Sequence, residues 1–266
     1  TLFLATNANC TMLINDRVNG PIHQGLQRWQ RSTIANIHFF GNCNFQGSGE
    51  FNGIDVDECW GMNIYGNQVS KTQGHGMKFR SINVIRLEGN MIILTAFGEA
   101  TANCIYIDDM ADSHLIGNWC GGSNGSVCYI TQTTGTNTRT WLDRIQHNHF
   151  FNSLAGSGLF LEDNPNANGI QIIGNRLDQN FIHGIAIDNT PGCVVMGNTS
   201  TQNGFDNIAA GNAGIYVVTG SSIPVAARVV SVSTAAGTVT MDMVGTGTAA
   251  TTDLTFAQDT FQGPTD

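Results

Sequence analysis

The chain has 266 residues, 41% hydrophobic and only 12% charged, with 32 glycines and a formal net charge of −9. That allows one or two domains with a large core, and polar uncharged residues in place of Lys and Glu point to a turn-rich all-β protein. Acidity without clustered Lys and Arg argues against nucleic acid or an anionic membrane as partner, and no apolar run reaches the ~18 residues of a membrane span.

The first residues, Thr1–Thr6, already read as a strand, and no signal peptide is visible, so a longer natural chain is expected. From there the chain is organised by a repeat. A short apolar stretch ends in Gly-Asn or a near variant at Asn42, Asn67, Asn90, Asn118, Asn148, Asn175 and Asn198, at intervals of 23 to 30 residues. The fifth instance reads His147-Asn148. Three residues before each Asn stands an apolar residue: Phe39, Ile64, Leu87, Leu115, Ile145, Ile172 and Val195. Such a period marks an array whose units bury their apolar faces only against one another.

Each repeat opens with a second pattern, small-apolar-x-apolar-x. It occurs as Gly53 to Asp57, Gly76 to Arg80, Cys104 to Asp108, Val127 to Thr131, Gly158 to Glu162, Gly184 to Asp188 and Gly214 to Val218. Period-two alternation predicts half-buried strands, and Gly-Asn suits a left-handed turn. An insertion around Gly135 to Thr140 lengthens the fourth repeat, and Asn164-Pro165-Asn166 lengthens the turn of the fifth. Two or three short strands per winding, all running one way, predict an all-β, right-handed parallel β-helix of about 7–9 rungs. Like residues then stack into ladders, and the asparagines hydrogen-bond rung to rung. Residues 1–218 form the β-helix in this reading, and 219–266 a small C-terminal β-segment. That segment starts with a linker, Thr219 to Pro224. A hairpin follows, with Ala227–Val232 and Thr238–Val244 as its strands, and it caps the open end or contacts another subunit.

The Gly-Asn turns and Gly-Ile-x-Val/Ile-Asp strands resemble the pectin-lyase-like right-handed β-helix superfamily over roughly residues 1 to 218. Low charge, free cysteines and Asn/Thr/Gly richness are most similar to bacteriophage tailspikes. The resemblance implies a homotrimer in a virion tail, folded in the host cytoplasm, that binds and cleaves bacterial surface polysaccharide. Outside a phage, an extracellular setting is expected.

In the opening strands the two x positions share the outward face. Stacking yields one column of Asp55, Lys78, Tyr106, Tyr129, Phe160, Ala186 and Tyr216, and another of Asp57, Arg80, Asp108, Thr131, Glu162 and Asp188. Aromatic faces stack on sugar rings and carboxylates accept hydroxyl hydrogen bonds, so Tyr106, Tyr129, Phe160, Arg80 and Lys78 are the candidate substrate-binding residues. A covering loop or subunit, and a plain salt-bridge ladder along Asp57-Arg80-Asp108, are the structural alternatives. Asp108 and Glu162 stand two rungs apart, about 10 Å between Cα atoms, which suits an inverting glycosidase. Glu162 is the candidate acid and Asp108, or adjacent Asp109, the base, with Asp57, Asp163 and Asp188 in reserve.

A polysaccharide lyase is the rival chemistry, with His75, Lys78, Arg80 and Tyr106 as base and cations. Gly74-His75-Gly76 is similar to a polygalacturonase motif whose companions are missing. A non-catalytic glycan-binding β-helix is the third reading. No cofactor or metal is expected: the histidines lack ligand spacing, the seven cysteines form no Cys-x-x-Cys pair, and no repeated calcium loop occurs. The cysteines read as buried small hydrophobes in a reduced protein. Trp60, Trp119 and Trp141 read as packing at rung edges, with Trp141 able to overhang the groove.

Overall fold

A computed structural model describes residues 32–41, 51–95, 101–133 and 143–204, apart from positions 166 and 191 and the side chain of position 58. It also gives the backbone of Leu2–Leu4, Leu13–Asn15, Trp29–Gln30, Ile215–Val218, Arg228–Ser233, Thr238–Asp242, Thr255–Ala257 and Thr260–Gln262. Asn42, Cys10, Cys43, Trp141, the insertion around 135–140 and the linker 219–224 lie outside the described residues.

Alternating apolar residues make each strand two-sided, and a coil is the arrangement that buries one side of all of them at once. Each winding contributes three short strands, for example Met77–Asn83, Arg86–Glu88 and Met91–Ile93. The strands of the coil pair in parallel with their counterparts one winding away, and among the described residues the three sheets hold nine, eight and nine strands. The result is a right-handed parallel β-solenoid with no helix among its described residues. The first sheet contains Ile54–Trp60, Met77–Asn83, Ile105–Ala111, Cys128–Thr131, Leu159–Glu162 and Ile185–Asp188. The second contains Asn63–Tyr65 and its equivalents, and the third Gln68–Ser70 and its equivalents.

The inward residues form one continuous apolar column, with Val56, Phe79, Ile107, Ile130, Leu161 and Ile187 at 0–1% exposure. Cys59, Cys104, Cys120, Cys128 and Cys193 sit in this column as free, buried thiols.

The corner between the second and third sheets explains the Gly-Asn signature. Gly66, Gly89, Gly117, Gly174 and Gly197 hold φ between +61 and +65°, a region open to glycine at no steric cost, and His147 takes φ +55° in the same place. The following Asn turns inward and is buried. Asn90 shows the pattern: its backbone N–H and its Nδ2 both donate to Asn118 Oδ1, at 3.1 and 3.0 Å. Its Nδ2 also donates to Ile64 O at 2.9 Å. The ladder runs unbroken from Asn67 through Asn90, Asn118, Asn148 and Asn175 to Asn198.

The first repeat corrects the sequence reading. Phe39, expected in register with Ile64, pairs instead with Val69 in the third sheet, while Ile34 pairs with Ile64. Asn36, at φ +57°, takes the left-handed corner place held by Gly66 one winding on, and Ile37 N donates to Asn67 Oδ1 at 3.1 Å. The Gly41-Asn42 pair is therefore a look-alike: the coil's corner is set by φ and by an inward acceptor, and in this winding the spelling is Asn-Ile.

Beyond position 218, Arg228–Ser233 and Thr238–Asp242 pair antiparallel as a hairpin, with a register shift between Val229 and Ser231. Thr255–Ala257 then adds to the second sheet beside Cys193–Met196, and Thr260–Gln262 to the third beside Thr199–Thr201. The tail of the chain thus supplies the next strands of the solenoid.

Candidate functional site

The outer face of the first sheet stacks two columns in the register that period-two alternation implies. Asp55 pairs with Lys78, Lys78 with Tyr106, Tyr106 with Tyr129, Tyr129 with Phe160, and Phe160 with Ala186. Beside them run Asp57, Arg80, Asp108, Thr131, Glu162 and Asp188. The Tyr106 and Tyr129 rings stack with centroids 5.5 Å apart, and Phe160 meets Tyr129 edge-on at 5.5 Å. Both geometries are favourable ones for aromatic pairs. Lys78 Nζ lies 5.5 Å from the Tyr106 ring centroid, and the His75 ring, from the same winding as Lys78, packs on Tyr106 at 4.7 Å.

Over this aromatic file lies a cavity of about 580 Å³. Tyr106, Tyr129 and Phe160 form its floor, and Asp188 enters at one end. One wall is a third column that the sequence reading passed over: Asn103, Ser126, Ser157 and His183, with His75 closing the row. These residues stand immediately before the small residue that opens each strand. Asn52 Oδ1 accepts from His75 N at 2.7 Å, His75 Nδ1 accepts from Asn103 N at 2.9 Å, and Ser126 Oγ accepts from Ser157 N at 3.1 Å. The signal was present, since the residue before the small one is polar in every repeat from Asn52 to His183. Counting forward from the small residue hid it.

Of the described acids on this face, Asp188 lines the cavity, and the others stand outside its lining. Arg80 Nη2 is 3.0 Å from Asp55 Oδ1 and its Nε 3.7 Å from Asp57 Oδ2. Asp57 is thus held in an ion pair with Arg80. Asp108 is 3% exposed, and its two oxygens accept from Thr133 N at 2.8 Å and Thr133 Oγ1 at 2.7 Å. Its carboxylate points along the strand into the next loop, apart from the residues lining the cavity. Asp109, the alternative base, is at φ +72° and fully buried.

Glu162 and Asp188 form a closer pair, of which Asp188 lines the cavity and Glu162 stands beside it. They are neighbours on adjacent rungs, so their Cα atoms are about 4.8 Å apart. Tyr129 donates its phenol O–H to Glu162 Oε2. Burial, and then the Glu162 carboxylate, push the Tyr129 phenol well above its usual range. Asp188 is raised too, by burial first and then by the charges of Asp163 and Glu162. Two neighbouring carboxylates, one with its pKa raised, offer the two parts of an acid–base pair. Among the described residues, no group of three His, Cys, Asp or Glu side chains could hold a metal ion.

No protein-family model matches this chain, and no curated protein matches it. Among solved structures, it is similar to QnrB1, a plasmid-mediated fluoroquinolone resistance protein, at 11% identity. The match covers 71% of this chain and 85% of that one, with a TM-score of 0.23. A likeness that loose carries no argument about function. The fold defines the chain as a parallel β-solenoid, and its chemistry rests on the site's own geometry.

Proposed function

We propose that the protein binds and hydrolyses a polysaccharide of the bacterial surface in the cavity over Tyr106, Tyr129 and Phe160. In this reading it is a tailspike-like depolymerase of the pectin-lyase-like kind, acting as a homotrimer in a virion tail. One observation carries the reading: a cavity floored by three consecutive aromatic rungs has Asp188 in its wall, and Glu162 stands one rung away from Asp188. Aromatic faces take the CH side of sugar rings, and the polar column beside them offers donors and acceptors to the hydroxyls.

The chemistry uses Asp188 and Glu162 rather than the wider Asp108–Glu162 pair. Asp188, in its protonated form, gives its proton to the glycosidic oxygen as the bond to C1 breaks. The Glu162 carboxylate, steadied by Tyr129, attacks C1 from the other face. Water then gives a proton to Asp188 and its oxygen to C1, releasing Glu162. Adjacent rungs suit the ~5–5.5 Å carboxyl separation of retaining enzymes, whereas two rungs suit inversion.

The test is release of new reducing ends from capsule or O-antigen polysaccharide, with Glu162→Gln, Asp188→Asn and Asp108→Asn assayed beside the unaltered protein. Loss in the first two, with activity kept in Asp108→Asn, supports the pair. Loss in Asp108→Asn with full activity in Asp188→Asn restores the wider pair and inversion. Binding without products in the unaltered protein makes it a glycan-binding β-helix. The lyase reading has one observation of its own, His75 and Lys78 both close to the Tyr106 ring, and an ultraviolet-absorbing unsaturated product would favour it. Against it, the Arg80 guanidinium is already paired with two carboxylates.

A further inference from the structure

A second hollow, of about 420 Å³, opens at the corner where the third sheet passes into the first. Asn152, Leu154, Gln179, Phe181 and Gln202 line it. The chain between the two hollows is shared. Asn152 to Leu154 face the second and Ala155 to Ser157 the first; likewise Gln179 to Phe181 face the second and Ile182 and His183 the first. The two hollows are thus lined by adjoining stretches of the same two windings, those that carry Phe160 and Asp188.

Side-chain-bearing residues hold the left-handed place at this corner in earlier windings too, Lys71 and Leu94 at φ +53 and +55°. Asn152, Gln179 and Gln202 stand on three consecutive rungs in the left-handed region, at φ +55, +58 and +53°. Glycine would meet that backbone at lower cost, and does so at the corner between the second and third sheets. These three windings carry amides instead, and Gln179 Nε2 donates to Gln202 Oε1 at 3.2 Å. Leu154 beside them is 53% exposed. Amides that both donate and accept, next to an open apolar side chain, match the hydroxyl edge and CH face of a sugar. Among the described residues no Lys, Arg, Asp or Glu lines the hollow, which fits an uncharged ligand.

We propose that this corner is a second sugar subsite, binding the units of a neutral polysaccharide that leave the first cavity past Phe160 and turn across the rungs. The proposal rests on the reading of the first cavity as a glycan site. The probe is a series of size-fractionated neutral oligosaccharides, from disaccharide to octasaccharide, titrated into the full chain. The unaltered protein binds the octasaccharide about tenfold more tightly than the disaccharide, the worth of one or two added hydrogen bonds. In Gln179→Ala/Gln202→Ala and in Leu154→Ala that preference for length collapses while the melting temperature holds. A preference unchanged in both variants overturns the second subsite and leaves the first cavity standing. A collapse that comes only with a lowered melting temperature assigns the amides to holding the corner, and also overturns it. Failure of the unaltered protein to bind any oligosaccharide overturns both readings together.

Discussion

Tyr129 is stacked on Tyr106, edge-on to Phe160 and hydrogen-bonded to Glu162, so one side chain joins the sugar platform to the acids. Removing its hydroxyl leaves the ring in place and frees the Glu162 carboxylate to turn. Tyr129→Phe therefore lowers kcat on polysaccharide about tenfold to a hundredfold with little change in KM, the pattern of a group felt in the transition state. The proton on Asp188 sets the pH profile. Its pKa is raised by burial and by the charges of Asp163 and Glu162, so acid catalysis is present at low pH and lost as pH rises through that raised value. Asp163→Asn removes one of those charges, lowers the Asp188 pKa and moves the alkaline limb of the pH–rate profile to lower pH. An alkaline limb that stays put in that variant rules out Asp188 as the proton donor.

At the scale of the element, the solenoid depends on its corners. Asn118 is 1% exposed and serves both neighbours in the ladder. Its Oδ1 accepts from Asn90 N and Nδ2, and its Nδ2 donates to Leu87 O and Asn148 Oδ1. Asn118→Ala strands several buried groups at once. It costs about 4 kcal/mol and lowers the melting temperature by about 10 °C in a thermal unfolding scan. A second corner carries a buried acid. Asp143 Oδ1 accepts from Ser113 N at 2.7 Å, just as Ser113 Oγ accepts from Ile85 N at 3.1 Å. Burial raises the Asp143 pKa well above the usual carboxylate range, with the charges of Asp112 and Asp109 adding to it. The folded protein then keeps a proton that the unfolded chain gives up above about pH 3.9, so stability falls as pH rises from there through the raised folded value. Asp143→Asn keeps the acceptor and removes the charge. It raises the melting temperature at pH 7 relative to the unaltered protein, by a margin that shrinks to nothing below about pH 4. Equal pH slopes in the two proteins would show that Asp143 ionises freely when folded.

Across the whole molecule, one apolar column runs through every described winding, and each winding is held only by the next. Stability in such an array is a sum of neighbouring contacts, so the ends open before the middle. The buried thiols report on this directly. Burial pushes Cys104 and Cys193 up to about 12, which keeps both as unreactive thiols at neutral pH. Mass spectrometry after alkylation finds Cys59, Cys104, Cys120, Cys128 and Cys193 unmodified in the native protein and modified in denaturant. Modification of Cys104 or Cys120 under native conditions would contradict a closed interior.

Two periodicities written along the chain determined the solenoid, its three-residue ladders and the outward columns of the first sheet. Alternation of apolar and polar residues states which side of a strand is buried, and the recurrence of a left-handed corner states where the coil bends; both are local properties. The register slip at Asn36-Ile37 shows the limit of local spelling, because an Asn that is not preceded by Gly meets the same φ requirement. Which acids face solvent together was decided only in three dimensions. Asp108 and Glu162 share a column and a chemical type, yet Asp108 finds Thr133 in the following loop while Glu162 finds Tyr129 one winding below it. Such partners come from side-chain packing between windings. The sequence alone specifies which residues stack, and packing decides where their charges point.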